Sequence, residues 1–304
     1  MFGKGFARVA LALMVLAAGG QVGVAREIAH AMGVTEVPDA PQRVVILTNE
    51  GTEALLHMGV VPVGAAQSWD GNPWYKHLEA QLADTVSLGT ESAVDLERIA
   101  ALQPDLILGT KVRQEKIYDQ LSAIAPTVFT ETIGGEWQEN YQFYADALGL
   151  SEKGRTDLAA FAEKTDRLRA ALGDRVEDQI SLVRFSPGRT RIYYRDTFAG
   201  VILDQIGFKR PPAQDRMDFA EQVTKERIPE MAGDRIFYFS ADDDNDEARV
   251  NLAEWTQDPV WQSLDAVRAG NAYRVSELFW NSGGGIYCAE IMLDQLAANY
   301  GVTY

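Results

Sequence analysis

The sequence predicts an α/β protein built as two Rossmann-like lobes with mostly parallel sheets, joined by one long helix. Three observations predict it. Short β-branched runs alternate with helical patterns in the first half and again in the second, the signature of parallel sheets covered on both faces. Between the halves, Ser151 to about Leu172 carries no strand signal, is rich in Ala, Leu, Glu, Lys and Arg, and stops at Gly173. That composition reads as one helix of about 20 residues, long enough at about 1.5 Å per residue to run the length of a lobe interface. Finally, a motif recurs: "LERIAALQPDLIL" and "KERIPEMAGDRIF" share Glu-Arg-Ile at 97–99 and 226–228, and in each an Asp follows six residues after the Ile, at 105 and 234. One copy per half implies two lobes related by an approximate twofold axis.

The elements follow in order. Residues 1–25 begin with Lys4 and Arg8, continue through the apolar run Val9 to Ala18 and end in Gly23-Val24-Ala25. This is the order of a secretory leader, with cleavage after Ala25; the apolar run is about half of the roughly 20 residues that a membrane-spanning helix needs. Val44 to Leu47 reads as a strand, followed by a helix from about Thr52 that stops at Gly59. "VVPVGAA" is the next strand, "DLERIAALQPDLILGT" a helix, a turn and a strand, and "VRQEKIYDQLSAIAPTVFT" a helix stopped before Pro126 and then a strand. Beyond the long helix, "QISLVRFSPGRTRIYYRD" is a hairpin turning at Ser186-Pro187-Gly188. "FAGVILDQIG" is a helix closed by Gly207, and "KERIPEMAGDRIFYFS" is helix, turn and strand. The expected units are therefore the leader 1–25, an N-terminal lobe 26–148, the interlobe helix 149–174 and a C-terminal lobe 175–304.

Charge and cysteine usage narrow the function. The net charge is −16, and removing Lys4 and Arg8 with the leader takes it to −18. Such a surface repels nucleic acid and anionic membranes, but a local basic cluster can still hold a small anion. Cys288 is the single cysteine, so no intrachain disulfide forms, and no thiol near Ala25 is available to carry a lipid. The expectation is a free, unanchored periplasmic protein. About 279 residues after the leader exceed the size of one hydrophobic core. No phosphate-cradling GxxxxGK[ST], dinucleotide GxGxxG, GxSxG nucleophile elbow or HExxH occurs. The acidic run from Asp242 to Glu247 lacks the Gly and the terminal Glu of an EF-hand loop. A binding role is favoured over an enzymatic one.

The segments "PQRVVIL", "DLERIAALQPDLILGT", "YDQLSAIAPTV", "LVRFSPGRTRIYY", "KERIPEMAGDRIFYFS" and "WNSGGG", in this order, resemble the iron–siderophore class of periplasmic binding proteins, the class III, helical-backbone solute-binding family of ABC transporters. The resemblance spans nearly all of the chain after the leader. It implies a monomeric receptor that captures a ferric siderophore between its lobes and delivers it to an ABC permease dimer, with no cofactor of its own. It also implies that Glu97 and Glu226, one per lobe, form salt bridges with permease arginines. Charge pairs of this kind speed association; the simpler role for each is an acid at a helix N-terminus.

A ferric complex of a citrate-based or mixed hydroxamate–carboxylate siderophore is usually anionic, and arginine forks bind carboxylate oxygens in pairs. Ligand residues in α/β lobes sit at the carboxyl ends of strands. The candidates are Lys111 and Arg113 after the 105–108 strand, Arg184 and Tyr194 on the hairpin with Arg195 at its end, and Trp280 before the glycine run. Thr48, Asn49 and Trp69 follow the first two strands. Iron is expected to be held by the siderophore and not by side chains. Two departures stand out: where several family members place an arginine before the docking helix, this chain has Gly89, Thr90 and Glu91, and the Trp280 loop lacks the extra arginines of some carboxylate-siderophore receptors. A haem or cobalamin receptor of the same class, a sensory or partner-binding protein on the same fold, and a hydrolase on this scaffold are the alternatives.

Overall fold

The computed structural model describes residues 25–240 and 245–304. The leader, apart from Ala25, and the acids Asp242, Asp243 and Asp244 lie outside the described residues.

The chain enters through a hairpin of β1 (Ala25–His30) and β2 (Gly33–Pro38), which the sequence reading did not anticipate. The hairpin leans on the edge of the first large sheet, with Ala31 N–H donating to the Phe129 carbonyl at 3.0 Å. Covering an edge strand removes a row of open backbone groups.

That sheet contains β3 (Val44–Ile46), β4 (Gly64–Ala65), β5 (Val86–Ser87), β8 (Leu106–Thr110) and β9 (Thr127–Thr130), in the order β5-β4-β3-β8-β9 and parallel throughout. A small antiparallel pair, β6 (Gly89–Thr90) and β7 (Ala93–Val94), stands beside it. The alternation of β3 explains its apolar run. Val44 and Ile46 join one core cluster, whereas Val45 and Leu47 join another on the opposite face. The connecting helices are α1 (Asn49–His57), α2 (Leu96–Ala101), α3 (Lys111–Gln114), α4 (Tyr118–Ser122) and α5 (Trp137–Ala147). Helix α1 begins three residues earlier than the sequence suggests, because Thr48 caps it through a bond from Gly51 N–H to its hydroxyl at 3.1 Å.

The long helix α6 (Ser151–Leu172) matches its expected bounds. Its buried residues Gly154, Phe161, Thr165, Leu168 and Leu172 recur at the spacing of one face. At Gly154 a Cβ would stand 2.5 Å from the Cβ of Ala145, so only glycine lets α6 lie this close to α5.

The second large sheet has the order β12-β11-β10-β13-β14, from β10 (Ile180–Ser186), β11 (Arg189–Tyr193), β12 (Ala220–Val223), β13 (Arg235–Ser240) and β14 (Ala272–Arg274). Strands β10, β13 and β14 are parallel, and β11 and β12 are antiparallel additions. The hairpin turns through Pro187 and Gly188, the latter at φ +62°. Its helices are α7 (Phe198–Ile206), α8 (Asp246–Thr256), α9 (Pro259–Ser263), α10 (Asp265–Arg268) and α11 (Ile286–Tyr300). The segment Lys225–Met231, expected as an α-helix, is a 3₁₀ helix. Pro229 within it lacks the N–H that an α-helix interior requires.

The repeat has a structural meaning. Asp105 accepts from the backbone N–H groups of Gln42 and Arg43 at 2.7 and 2.8 Å, just before β3. Asp234 accepts from Gln179 N–H at 2.7 Å, just before β10. Each carboxylate anchors the entry to the first central strand of its sheet. The two sheets share one apolar cluster, in which Trp137 of α5 meets Phe161 of α6 at 5.0 Å and Phe198 of α7 at 5.9 Å between ring centroids.

Candidate functional site

On the first sheet, Arg113 projects from the short helix after β8, with 37% of its side chain exposed. Its guanidinium lies 5.8 Å from the ring centre of Trp69, itself half exposed. Beneath it is Glu91, buried, with Oε2 3.5 Å from Arg113 Nε. Glu91 Oε1 accepts from the backbone N–H and the side-chain amide of Asn49, both at 2.7 Å. Gln114, buried next to Arg113, donates to the Glu91 carbonyl at 2.7 Å and to the Leu47 carbonyl at 3.2 Å. Gln114 therefore ties the Glu91 loop to the end of β3. Lys111 is paired with Glu131 at 2.7 Å. Thr48 and Asn49, expected to line a ligand, are buried. Thr48 caps α1 and lies 3.2 Å from the Tyr144 hydroxyl, and Asn49 is committed to Glu91.

On the second sheet, Arg184 makes a two-pronged pair with Glu277, Nη2 to Oε1 at 2.7 Å and Nε to Oε2 at 3.1 Å. Its Nη1 donates to the Tyr193 hydroxyl at 3.3 Å. The expected pairing of Arg184 with Tyr194 is corrected by strand alternation. Leu182 and Tyr193 share one face, whereas Val183, Phe185, Ile192 and Tyr194 join the core cluster on the other. Tyr194 donates instead to Glu221 at 2.9 Å, and Arg216 lies over its ring at 3.9 Å. Arg195 is held by Asp204 and Asp215. Trp280 is also corrected: it is buried, stacked on Phe237 at 4.7 Å, and its indole N–H donates to Gln295 at 2.7 Å. Phe279 beside it is the partly exposed aromatic. Phe219, half exposed and 5.4 Å from the Tyr193 ring, completes this wall.

The two walls meet at the segment between Glu277 and Gly285. Tyr75 donates to the Ser282 carbonyl at 3.1 Å. Gly284 approaches Glu50 of α1, the residue after Asn49. The segment that carries the Glu277–Arg184 pair thus touches the lobe that carries the Glu91–Arg113 pair, along an interlobe seam. Glu50 sits within it, accepting from Gly134 N–H at 3.2 Å and Asn140 Nδ2 at 2.8 Å. Burial pushes its carboxyl up to about 8. Residue types alone leave open whether Tyr193 or Tyr194 faces the cleft, which strand phase decides, and could not reveal Glu277, Phe219 and Gln114, the first of them a contact across 93 positions.

The repeated glutamates are both exposed, Glu97 in the first turn of α2 and Glu226 in the first turn of the 3₁₀ helix. Ile99 and Ile228, two residues on, are fully buried in their respective lobes. Hydrogen bonding to Thr224 lowers the Glu226 carboxyl below its usual range, so it carries its charge at neutral pH. A cavity of about 230 Å³ lies elsewhere, against α6 and α11, lined by His77, Lys164, Tyr287, Glu290 and Asp294 among others. It is smaller than a typical ligand pocket and carries acids.

The periplasmic binding protein family matches residues 44–277. The "Probable siderophore-binding lipoprotein YfiY" of Bacillus subtilis (strain 168) is 46% identical over 89% of this chain and 86% of its own length. The "Fe(3+)-citrate-binding protein YfmC" of the same organism is 29% identical over 85% of this chain and 80% of its own. Among solved structures, Staphylococcus aureus SirA complexed with staphyloferrin B superposes with a TM-score of 0.85 at 35% identity, covering 91% of this chain and 99% of SirA. One expectation is overturned. YfiY is named a lipoprotein, a lipid-anchored class, so the placement as a free, unanchored periplasmic protein is withdrawn. With two sheets joined through α6 and a match over most of its length, the chain belongs to the periplasmic binding protein family.

Proposed function

We propose that the chain is the solute receptor of an ABC importer and holds a ferric siderophore of the citrate-based or mixed hydroxamate–carboxylate type between its lobes. The lobes are residues 26–148 and 175–304, with 149–174 as the connector. What supports this reading is Arg113, partly exposed beside the exposed Trp69 on the first lobe, together with Arg184 on the second. Such a pair offers guanidinium forks to carboxylate oxygens and an indole face to the apolar part of the ligand. The likeness to SirA, whose structure contains staphyloferrin B, supports the siderophore class. Iron arrives and leaves inside the siderophore, and the receptor performs no chemistry on it. His30, His57 and His77 are each engaged by other side chains, by Thr35, Tyr141 and Glu53 respectively, so no specific contact favours the haem reading.

Glu97 and Glu226, exposed at equivalent places in the two halves, suit docking onto the two arms of a permease dimer. The receptor works as a monomer between them.

Trp69 provides the test. Titration of the protein with a panel of ferric siderophores, followed by tryptophan fluorescence, should show saturable quenching by carboxylate-rich complexes, and Trp69→Phe should lose most of the signal. Quenching by haem or cobalamin alone would overturn the reading.

A further inference from the structure

At the edge of the interlobe seam, three side chains with no part in anion capture converge at the foot of α11. Glu53 is fully buried in α1. Its Oε1 lies 3.0 Å from His77 Nε2 and accepts from the Cys288 thiol at 2.8 Å, while its Oε2 accepts from the Cys288 backbone N–H at 3.0 Å. The nitrogen, sulfur and oxygen donors all lie within 4.8 Å of one another. They come from three separate segments, α1, the loop after β4 and the first turn of α11.

We propose that Glu53, His77 and Cys288 form a binding site for a divalent transition metal ion, with zinc as the best fit. A thiolate, an imidazole and a carboxylate are the donors zinc prefers, and three protein ligands leave a fourth tetrahedral position for water. Bonds of about 2.0–2.3 Å imply donor separations of about 3.3–3.7 Å. The present 2.8 and 3.0 Å separations to Glu53 would open by less than about 1 Å, and the sulfur and imidazole, within 4.8 Å of each other, are also near that range.

The surroundings suit an ion. The His77 ring stacks on Tyr75 at 5.8 Å and 15° and meets Phe279 at 5.6 Å, so its orientation is set before any metal arrives. The 230 Å³ cavity reaches His77 and carries Glu290 and Asp294, the latter paired with Lys164 at 3.3 Å. At Gly285 a Cβ would stand 2.5 Å from the Glu53 Cβ, so this glycine lets the start of α11 close around the carboxylate. A thiol binds zinc as the thiolate, so the metal must displace the Cys288 proton and affinity rises with pH. An ion held here ties α11 to the first lobe without touching Arg113 or Arg184.

The test uses the whole folded chain without siderophore or iron, stripped with a chelator and titrated with Co²⁺ and then Zn²⁺. The expected result is saturable cobalt binding with a near-ultraviolet sulfur-to-cobalt charge-transfer band that zinc abolishes, together with a rise in Tm. Cys288→Ala should lose the band, and Cys288→Ala and His77→Gln should each bind zinc about tenfold or more weakly. Absence of saturable binding, or a cobalt spectrum without the sulfur band, overturns the proposal. Should either variant fail to fold, the band in the unaltered protein decides the matter. Siderophore titration of the same metal-free sample reports separately on the interlobe seam.

Discussion

Glu91 lies beneath Arg113, its Oε2 3.5 Å from the guanidinium Nε, at the loop where a positive contact was expected. Arg184 is likewise matched by Glu277. Both guanidinium groups are thus paired with carboxylates of the protein, and on the proposed function an anionic ligand competes with those carboxylates for them. Replacing Glu91 with Gln keeps an acceptor for Asn49 and removes the competing charge. Affinity for a ferric carboxylate siderophore should rise several-fold in fluorescence titration, whereas Arg113→Ala should weaken it by about 10- to 100-fold, the loss of a charged hydrogen bond.

Strand phase separates two neighbouring tyrosines. Arg184→Ala should weaken ligand binding by about tenfold or more, and Tyr193→Phe should weaken it less. Tyr194→Phe should leave binding unchanged, because Tyr194 faces the opposite core cluster. Calorimetric titration of the three variants checks this, and an effect confined to Tyr194 would contradict it.

Glu50 makes stability fall with rising pH. In the unfolded chain its carboxyl ionises near 4.5, whereas burial holds the proton up to about 8 in the fold. The folded state therefore binds more protons between those values, and this contribution to stability declines across the window and levels off above it. Urea midpoints measured across the window should show the decline, and Glu50→Gln should flatten it and raise stability at the alkaline end.

Docking is separable from capture. Glu97→Ala and Glu226→Ala remove exposed carboxylates, so stability should be nearly unchanged and siderophore affinity should be unaltered. Siderophore-dependent uptake through the reconstituted permease should fall with either change and further with both. Full uptake by the double variant would remove the docking role.

Much of this fold is legible in the residues. The α6 boundaries follow from an uninterrupted run of helix formers closed by Gly173, and the paired lobes from Glu-Arg-Ile and the Asp that follows it. The site is less legible for two physical reasons. Whether Tyr193 or Tyr194 faces Arg184 depends on a one-residue strand phase, which a hairpin of mostly buried residues on both faces does not reveal. Trp280 reads equally as a ligand cover or a core residue until Phe237 is found stacked on it. Partners distant in sequence, such as Glu277 for Arg184 and Cys288 for Glu53, arise only when the chain closes.

Trp137, Phe161 and Phe198 form one aromatic knot from three helices, one from each lobe and one from the connector. Cutting Trp137 back to Ala should cost about 3–5 kcal/mol, felt by the whole molecule as a single melting transition. A stiff connector sealed into a common interior leaves little room for hinge travel, so scattering profiles with and without siderophore should nearly coincide. It also means that neither half is a portable cassette. A chimaera that borrows one lobe from another receptor would have to bring a matching Trp137 socket with it or lose its solubility.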